Sequence, residues 1–300
     1  MKKSSKVTGH ACAIFCIIVW GTTFIVSRML LDFYTPLQTM MMRFILAYAV
    51  LWCMCPKWYF HWKDEIGFLL MSLFSNTLYF MAENTALTLT QSSNVSILVS
   101  AAPVFTALLL VLLPQCSERL TRYTVLGIAI SFCGMIMVVL NGSLVLKLNP
   151  VGDLLALGAA VSWAVFNMIL RGYSERFSSY LISRKLMFYG VLTTLPLLFW
   201  EHAPMNCSML LTPKILAGIL FLGIMGSALC YVSWNSAIYV LGVLRTNIYI
   251  YAIPFVTMVT AAFCVNESIT LMGIAGAILI ISGMVLSSLQ RSNPGCLEEK

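Results

Sequence analysis

The sequence predicts an all-α polytopic membrane protein with ten transmembrane helices, arranged as two inverted repeats of five. Three observations lead to this prediction: the composition, the number of apolar segments and an internal duplication. Of the 300 residues, 60% are hydrophobic and only 10% are charged. A soluble domain carries about 25% charged residues, so this chain could not cover a water-exposed surface with polar groups.

The apolar sequence divides into ten segments, each long enough to cross a membrane, since a span needs about 20 residues. We number them spans 1 to 10 in chain order: 10–30, 36–55, 66–87, 91–113, 122–141, 150–171, 181–200, 214–238, 243–265 and 270–289. Little sequence remains between them, which leaves no room for a separate soluble domain. The first apolar run is too long for a signal peptide and lacks a clear cleavage site, so we interpret it as a retained span.

Orientation follows from the distribution of basic residues. With the N-terminus in the cytoplasm, most of the 18 Lys and Arg residues fall in cytoplasmic segments, whereas three fall outside and two, Arg43 and Arg245, fall within spans. This bias predicts a bacterial-type cytoplasmic membrane protein with both termini in the cytoplasm. Because topology explains the net charge of +7, we expect the lipid bilayer as a partner and no nucleic acid.

The ten cysteines do not indicate a metal site or a disulfide framework. Most stand singly inside spans, where Cys behaves as a small hydrophobic residue. Cys53, Cys55 and His61 lie close together near the inner end of span 2, but they lack the paired spacing of metal ligands. The sequence therefore predicts neither a metal nor a cofactor.

A polar stretch within the apolar sequence occurs twice. YFMAENTALTLTQSSNVSILVSAAP ends at Pro103, and YVSWNSAIYVLGVLRTNIYIYAIP ends at Pro254. Aligning the two prolines places Asn84 on Asn235, and both pairs are 151 residues apart. Upstream, Trp20 with Arg28 corresponds to Trp163 with Arg171. So many matches in the same order indicate an internal duplication.

The duplication also extends downstream. Glu118 and Glu267 occupy equivalent loops, where we interpret them as caps of the following helices. Pairs of glycines seven residues apart recur in spans 5 and 10: Gly127 and Gly134, then Gly276 and Gly283. Small residues on one helix face favour close packing, within the chain or between two protomers, so a homodimer is possible.

Each repeat contains five spans, an odd number, so the second repeat enters the membrane inverted. The predicted repeats are residues 1–145 and 146–292, with a cytoplasmic tail at 293–300. Inverted repeats are typical of secondary transporters, whose binding site lies between the two repeats near the middle of the membrane.

The motifs WGTTFIVSRML, ALTLTQSSNVSILVSAAPVFTALLLVLL and ERLT…G…GM, with their copies, resemble the EamA-like transporters of the drug/metabolite transporter superfamily. The resemblance covers nearly the whole chain. It implies a ten-helix bundle whose central cavity is lined largely by the third, fourth, eighth and ninth helices. It also implies export of amino acids or other small metabolites, while distant branches carry sugar phosphates, nucleotide sugars and aminoarabinose lipids.

Two prolines and two polar residues lie near the middle of their spans. Pro103 in span 4 and Pro254 in span 9 each remove a backbone hydrogen bond and tend to kink a helix. We expect both kinks to line the cavity, with simple packing as the alternative. Asn76 in span 3 and Ser227 in span 8 face the interior at this depth, where they contact substrate or bond neighbouring helices.

The charged residues inside the spans differ between the two halves of the membrane. Arg43 is the deepest charge, and Glu83 lies in the same outer half. We expect Arg43 to pair with Glu83 or to bind a substrate carboxylate, with snorkelling towards the headgroups as the alternative. Arg245 lies in the inner half, where it suits a vestibule or gate, and Asn94 is its counterpart in the first repeat.

Aromatic residues near these positions could stack on a flat or cationic substrate, or could be ordinary core residues. The complete set of candidate pathway residues is Arg43, Asn76, Tyr79, Glu83, Asn84, Asn94, Pro103, Trp163, Ser227, Tyr231, Trp234, Asn235, Arg245, Tyr249 and Pro254.

The sequence predicts a secondary transporter, an exporter or exchanger of small polar metabolites such as amino acids, that works by alternating access. It contains no Walker A motif, so we do not expect this chain to use ATP, and Glu83 is the candidate carrier of a coupled proton. A multidrug or lipid-linked sugar carrier is the alternative. An intramembrane enzyme is disfavoured, because the sequence has no His-x-x-x-His, paired aspartates or Gly-x-Ser-x-Gly.

Overall fold

The computed structural model describes residues 5–90, 92–112, 121–140, 149–204, 207–265 and 270–288. Within these ranges the chain forms helices and their connections, and it contains no strand. The helices of the first repeat are Lys6–Leu31 (span 1), Pro36–Met54 (span 2), Trp62–Leu89 (span 3), Ser92–Val99 and Ala102–Leu112 (span 4), and Arg122–Leu140 (span 5).

The second repeat has the same succession of elements. Its helices are Pro150–Ser174 (span 6), Ser179–Glu201 (span 7), Pro213–Leu241 (span 8), Val243–Ile248 and Ile253–Val265 (span 9), and Leu271–Ser288 (span 10). Short 3-10 segments occur at Cys207–Leu211 before span 8 and at Tyr249–Ala252 within span 9.

Seven helices of the described residues are long and apolar enough to cross a membrane; they belong to spans 1, 2, 3, 6, 7, 8 and 9. The other three spans contain shorter apolar helices, Val95–Leu110, Arg122–Val138 and Leu271–Ser287. The predicted all-α membrane fold is confirmed, with seven of the ten spans meeting the length of a membrane helix. The orientation of the termini stays a prediction.

Local sequence explains where several helices begin. Span 2 starts with a capping box: the Thr35 hydroxyl accepts from the backbone of Gln38, and the Gln38 side chain accepts from the backbone of Thr35. Pro36 then takes the first helical position, where its missing N–H costs no intrahelical bond. At the start of span 6, the Asn149 side chain accepts from the backbone N–H of Gly152 and Pro150 takes the first helical position, and Ser178 caps span 7.

The duplication is visible in three dimensions at the ends of spans 3 and 8. Arg28 of span 1 donates a hydrogen bond to the carbonyl oxygen of Leu87. Arg171 of span 6 donates to the carbonyl oxygen of Ile238, 3.0 Å away. Leu87 and Ile238 are 151 residues apart, the offset between the repeats. Each arginine therefore binds a carbonyl oxygen in the last turn of the neighbouring helix.

Spans 3 and 8 also share a local change of helix type. Leu73–Leu78 in span 3 and Phe221–Leu229 in span 8 are π-helical. These segments contain Asn76 and Ser227, which are again 151 residues apart. π-Helical turns within α-helices are frequent at functional sites, and here they occur at equivalent places in the two repeats.

The two prolines expected to kink spans 4 and 9 lie at breaks in those spans. In span 4, a turn at residues 100–101 separates the two helices, and Pro103 is the second residue of the later one. In span 9, the 3-10 segment comes before Pro254, which is also the second residue of its helix. Proline suits the first turn of a helix, because the N–H it lacks would have no intrahelical partner there.

The glycines of spans 5 and 10 pack against one another within the chain. A Cβ atom on Gly127 would lie 2.6 Å from the carbonyl oxygen of Gly283, and one on Gly134 would lie 2.6 Å from that of Gly276. The two backbones therefore approach closely, as small residues allow. These glycines serve an intramolecular contact, and a homodimer stays a prediction.

Candidate functional site

A cavity lies between the two repeats, with an empty volume of about 540 Å³ that includes the open space at its mouth. Spans 1, 2, 3, 4, 6, 8 and 9 all contribute to its wall. The lining residues are Trp20, Thr23, Phe24, Ser27, Arg43, Tyr79, Phe80, Glu83, Val99, Ala102, Trp163, Tyr231, Ile250 and Ile253. Spans 3, 4, 8 and 9 were expected in this wall; spans 1, 2 and 6 join them.

Arg43 is held inside the bundle and does not extend towards the headgroups. Its side chain is only 3% exposed, and Nε donates a hydrogen bond to Oγ of Ser227, 2.8 Å away. The guanidinium carbon lies 4.1 Å from the ring centre of Phe80, which is the geometry of a cation–π contact. The membrane interior penalises an isolated charge, so the aromatic face and the hydroxyl help to retain this one.

Glu83 is the acidic residue of the cavity wall and is 7% exposed. It lies four residues after Tyr79, so both side chains face the same side of span 3. The expected direct pairing with Arg43 is not formed: the ion pairs within 4.0 Å among the described residues do not include these two. A basic and an acidic side chain therefore line one cavity without a direct ion pair between them.

The rest of the wall is mainly aromatic, with Trp163 at its centre. Its ring centre lies 5.3 Å from that of Trp20, 5.2 Å from Tyr79 and 6.1 Å from Tyr231. The Trp20 indole donates to the carbonyl oxygen of Gly226, 3.0 Å away, and the Tyr231 hydroxyl to that of Ser75, 2.9 Å away. The buried indole N–H of Trp163 has no hydrogen-bond partner among the described residues. A buried donor usually has a partner, so a ligand acceptor would complete this one.

Several predicted site residues instead join helices. Nδ2 of Asn76 donates to the carbonyl oxygen of Leu186, 2.8 Å away in span 7. Nδ2 of Asn235 donates to Oγ of Ser183, 2.9 Å away. The Trp234 indole donates to Asn167, 2.9 Å away, and Asn167 in turn donates to Asn247, 3.2 Å away. Each of these hydrogen bonds joins two helices through an asparagine side chain. Asn76, Asn235 and Trp234, which were predicted to lie in the pathway, do not line the cavity.

The remaining predicted residues lie around the cavity or outside it. Pro103 and Pro254 are buried next to the lining residues Ala102 and Ile253. Asn84 is buried, and its Nδ2 has no partner in the described part of the chain.

Arg245 and Tyr249 lie apart from the cavity wall, near the start of span 1. The hydroxyl of Tyr249 is 2.6 Å from Nδ1 of His10, and Arg245 is half-buried close by. The side chain of Asn94, and both Glu118 and Glu267, lie outside the described residues. Arg245 therefore does not share the cavity wall with Glu83, and their different depths in the membrane stay a prediction.

Two groups of residues were missed from the sequence. Thr23 and Ser27 line the cavity with Trp20, and their spacing of three and four residues along one helix face was the available signal. The second group is a pair of buried acids at the start of span 3: Asp64 lies 2.7 Å from Arg176, and Glu65 lies 2.6 Å from Lys185. No local pattern links these partners, because each pair joins the two repeats.

The described residues contain no group of three or more His, Cys, Asp or Glu side chains able to hold a metal ion. The cavity wall presents a guanidinium group, a carboxyl group, hydroxyls and aromatic faces. These groups can bind and orient a small molecule.

A helical bundle made of two repeats, with a partly polar cavity between them, is the architecture of a membrane transporter. Residues 7–140 and 150–289 both match the EamA-like transporter family, and the chain belongs to that family. The predicted resemblance is confirmed. The members it matches are named as transporters or efflux pumps, which supports transport over catalysis.

Two relatives illustrate the similarity. The chain is 24% identical over 298 residues to an uncharacterized transporter of Archaeoglobus fulgidus, covering 94% of this chain and 98% of the relative. It is also 24% identical over 287 residues to a probable amino-acid metabolite efflux pump of Salmonella typhimurium, covering 92% and 93%. A protein of known crystal structure superposes with a TM-score of 0.78 at 17% identity, over 95% of this chain and 98% of that one. That superposition shows a shared fold.

Proposed function

We propose that this transporter carries small polar metabolites such as amino acids across the cytoplasmic membrane by alternating access, as an exporter or exchanger. The observation that supports this proposal best is the cavity shared by basic Arg43 and acidic Glu83, which form no direct ion pair. The carboxylate of a zwitterion suits Arg43, and its ammonium group suits Glu83. The name of the Salmonella relative supports the same substrate class.

The wall gives the substrate further contacts. The aromatic faces of Trp20, Tyr79 and Trp163 can cover an apolar side chain, and the free indole N–H of Trp163 can donate to a carboxylate or amide. Small ligands are usually bound by such a wall, with few polar groups that fix orientation. The inverted repeats supply two similar packings, between which the bundle rocks around this fixed site.

Transport into proteoliposomes tests the proposal. Labelled amino acids should be taken up by vesicles preloaded with unlabelled amino acid, and Arg43→Gln should abolish that exchange. Lys214→Gln is the matched control, because Lys214 is an exposed cation away from the cavity. Wild-type rates in Arg43→Gln would refute the assigned role of the cavity. Thermal unfolding against a metabolite library identifies the substrate, since a ligand raises the melting temperature by mass action.

A multidrug carrier is the second candidate, favoured by the aromatic wall around a single carboxylate, which suits a flat organic cation. Competition experiments separate the two functions. If the protein is a metabolite transporter, amino acids should inhibit uptake of the labelled substrate. If it is a multidrug carrier, amphiphilic cations should inhibit that uptake.

A further inference from the structure

The connection between spans 2 and 3 exposes an unusual run of aromatic residues. We call residues 55–63, which comprise this connection and the first two residues of span 3, the aromatic–basic loop. Trp58 is 83% exposed, Phe60 is 61% exposed and Trp62 is 70% exposed. Lys57 and Lys63 are also exposed. Large apolar side chains and two cations therefore share one surface at the end of two spans.

Contacts from beneath fix the shape of this loop. Arg184 of span 7 donates hydrogen bonds to the carbonyl oxygens of Cys55 and Lys57, the latter 2.5 Å away. The hydroxyl of Tyr59 donates to Oδ2 of Asp64, 2.6 Å away. The backbone and the inward-facing tyrosine are thus bound to the bundle. These contacts fix the loop in a conformation that leaves Trp58, Phe60 and Trp62 exposed.

The acids next to the loop do not offset its positive charge at the surface. Asp64 and Glu65 are buried, and they are paired with Arg176 and Lys185 at 2.7 and 2.6 Å. The exposed ionised side chains of the loop itself are the lysines Lys57 and Lys63. The surface combines positive charge with indole rings, and this combination complements an anionic membrane surface.

We propose that the aromatic–basic loop binds the headgroups of anionic phospholipids in the leaflet that it faces. Tryptophan is enriched at the membrane–water boundary because its ring is amphipathic. Lysines beside that boundary attract anionic lipid. Trp58 and Trp62 would enter the headgroup layer, while Lys57 and Lys63 would contact phosphate oxygens. The proposal is independent of which substrate the cavity carries.

The opposite end of the bundle offers a matched comparison. Trp200 at the end of span 7 is 85% exposed, and Lys214 at the start of span 8 is exposed as well. This end is remote from the loop, since the neighbouring Glu201 accepts a hydrogen bond from Thr35 at the start of span 2, 2.8 Å away. Substitutions of Trp200 and Lys214 therefore remove an exposed tryptophan and an exposed lysine while the aromatic–basic loop stays unchanged.

Thermal unfolding of the purified full chain in detergent tests the proposal, with added phosphatidylglycerol or phosphatidylcholine. We expect phosphatidylglycerol to raise the melting temperature at lower concentrations than phosphatidylcholine does. The double variant Lys57→Gln/Lys63→Gln should need roughly 30-fold more phosphatidylglycerol for the same shift, about fivefold for each lysine. Lys214→Gln/Trp200→Ala should retain the wild-type response. Native mass spectrometry should show the same loss of retained phosphatidylglycerol in the loop variant only.

Three results would overturn the proposal. The first is an equal response to the two lipids, and the second is a wild-type phosphatidylglycerol titration in the loop variant. The third is an equal effect of inorganic phosphate, which would show a site for the free anion in place of a lipid site. Because both lysines are exposed, their substitution is not expected to prevent folding.

Discussion

Arg43 of span 2 donates a hydrogen bond from Nε to Oγ of Ser227 in span 8, 2.8 Å away, and so joins the two repeats beside the cavity. The inverted equivalent of this contact links Asn76 of span 3 to the carbonyl oxygen of Leu186 in span 7, also at 2.8 Å. The two hydrogen bonds join equivalent pairs of spans, but only the first involves a charged side chain. The chain therefore has a symmetric framework and an asymmetric cavity.

Ser227→Ala should weaken substrate binding because it frees the guanidinium of Arg43 from its position. A hydrogen bond to a charged group contributes about 1.5–3 kcal/mol, so we expect the apparent KM to rise by roughly tenfold or more. Ser227→Thr should restore the hydroxyl and most of the affinity. Ser282→Ala is the control, since that serine is exposed and bonds its own helix. Concentration-dependent uptake measures the effect, and an unchanged KM would contradict it.

Glu83→Gln should abolish coupling to protons if the carboxyl carries one. Uptake driven by a pH gradient should then fall to the level without a gradient. Exchange between equal pH values should persist only at a raised apparent KM, because the substrate ammonium group loses its carboxylate partner. Asp32→Asn, an exposed acid at the end of span 1, should leave both activities unchanged. Gradient-driven uptake at the wild-type rate in Glu83→Gln would remove Glu83 from the coupling mechanism.

Gly134→Ala should destabilise the packing of spans 5 and 10. The new Cβ atom would lie 2.6 Å from the carbonyl oxygen of Gly276, so the helices would have to separate. We expect a loss of about 1–3 kcal/mol in the free energy of unfolding, measured as a lower melting temperature. Gly158→Ala is the matched control, because no described atom outside its own stretch of helix lies within 4 Å of the added methyl group. Equal melting temperatures for the two variants would exclude the close approach.

Glu65→Gln should destabilise the protein because it leaves the mostly buried Lys185, whose side chain is 12% exposed, without its acidic partner. Breaking a buried ion pair typically costs about 3–5 kcal/mol, and replacing both partners with apolar residues costs less. The double variant Glu65→Leu/Lys185→Met should therefore melt above the single variant. Glu175→Gln, in a pair whose acid is 59% exposed, should change the melting temperature little. A single variant as stable as the wild type would show that the pair is not essential.

The sequence predicted most of the framework from local features. Apolar length located the spans, the repeat offset related Asn76 to Ser227, and the prolines Pro103 and Pro254 marked breaks in spans 4 and 9. These predictions succeeded because each rests on the covalent chain: hydrophobic length, residue spacing and the missing N–H of proline are independent of neighbouring helices. The sequence also placed Arg43 and Glu83 at similar depths, which stays a prediction, and both side chains line the cavity.

The contacts of the buried polar side chains could not be predicted from the sequence. Depth along a helix says nothing about the direction in which a side chain points across it. The sequence therefore left open whether Arg43 pairs with Glu83, binds a substrate carboxylate or extends towards the headgroups, and the structure shows its bond to Ser227. Asn76 could equally have faced substrate, but the rotation of span 3 turns it towards Leu186. The pairing of Glu65 with Lys185 crosses the repeats and has no local signal.

By itself, the sequence determined the class of this protein: a helical membrane protein with an inverted duplication and few charges inside its spans. Those properties follow from composition and order along the chain, because the bilayer permits few solutions for apolar segments of this length. Tertiary structure alone decided which of the buried polar residues face the cavity and which bond neighbouring helices. The physical reason is that rotation and packing of helices are set by contacts among distant segments, which no single segment encodes.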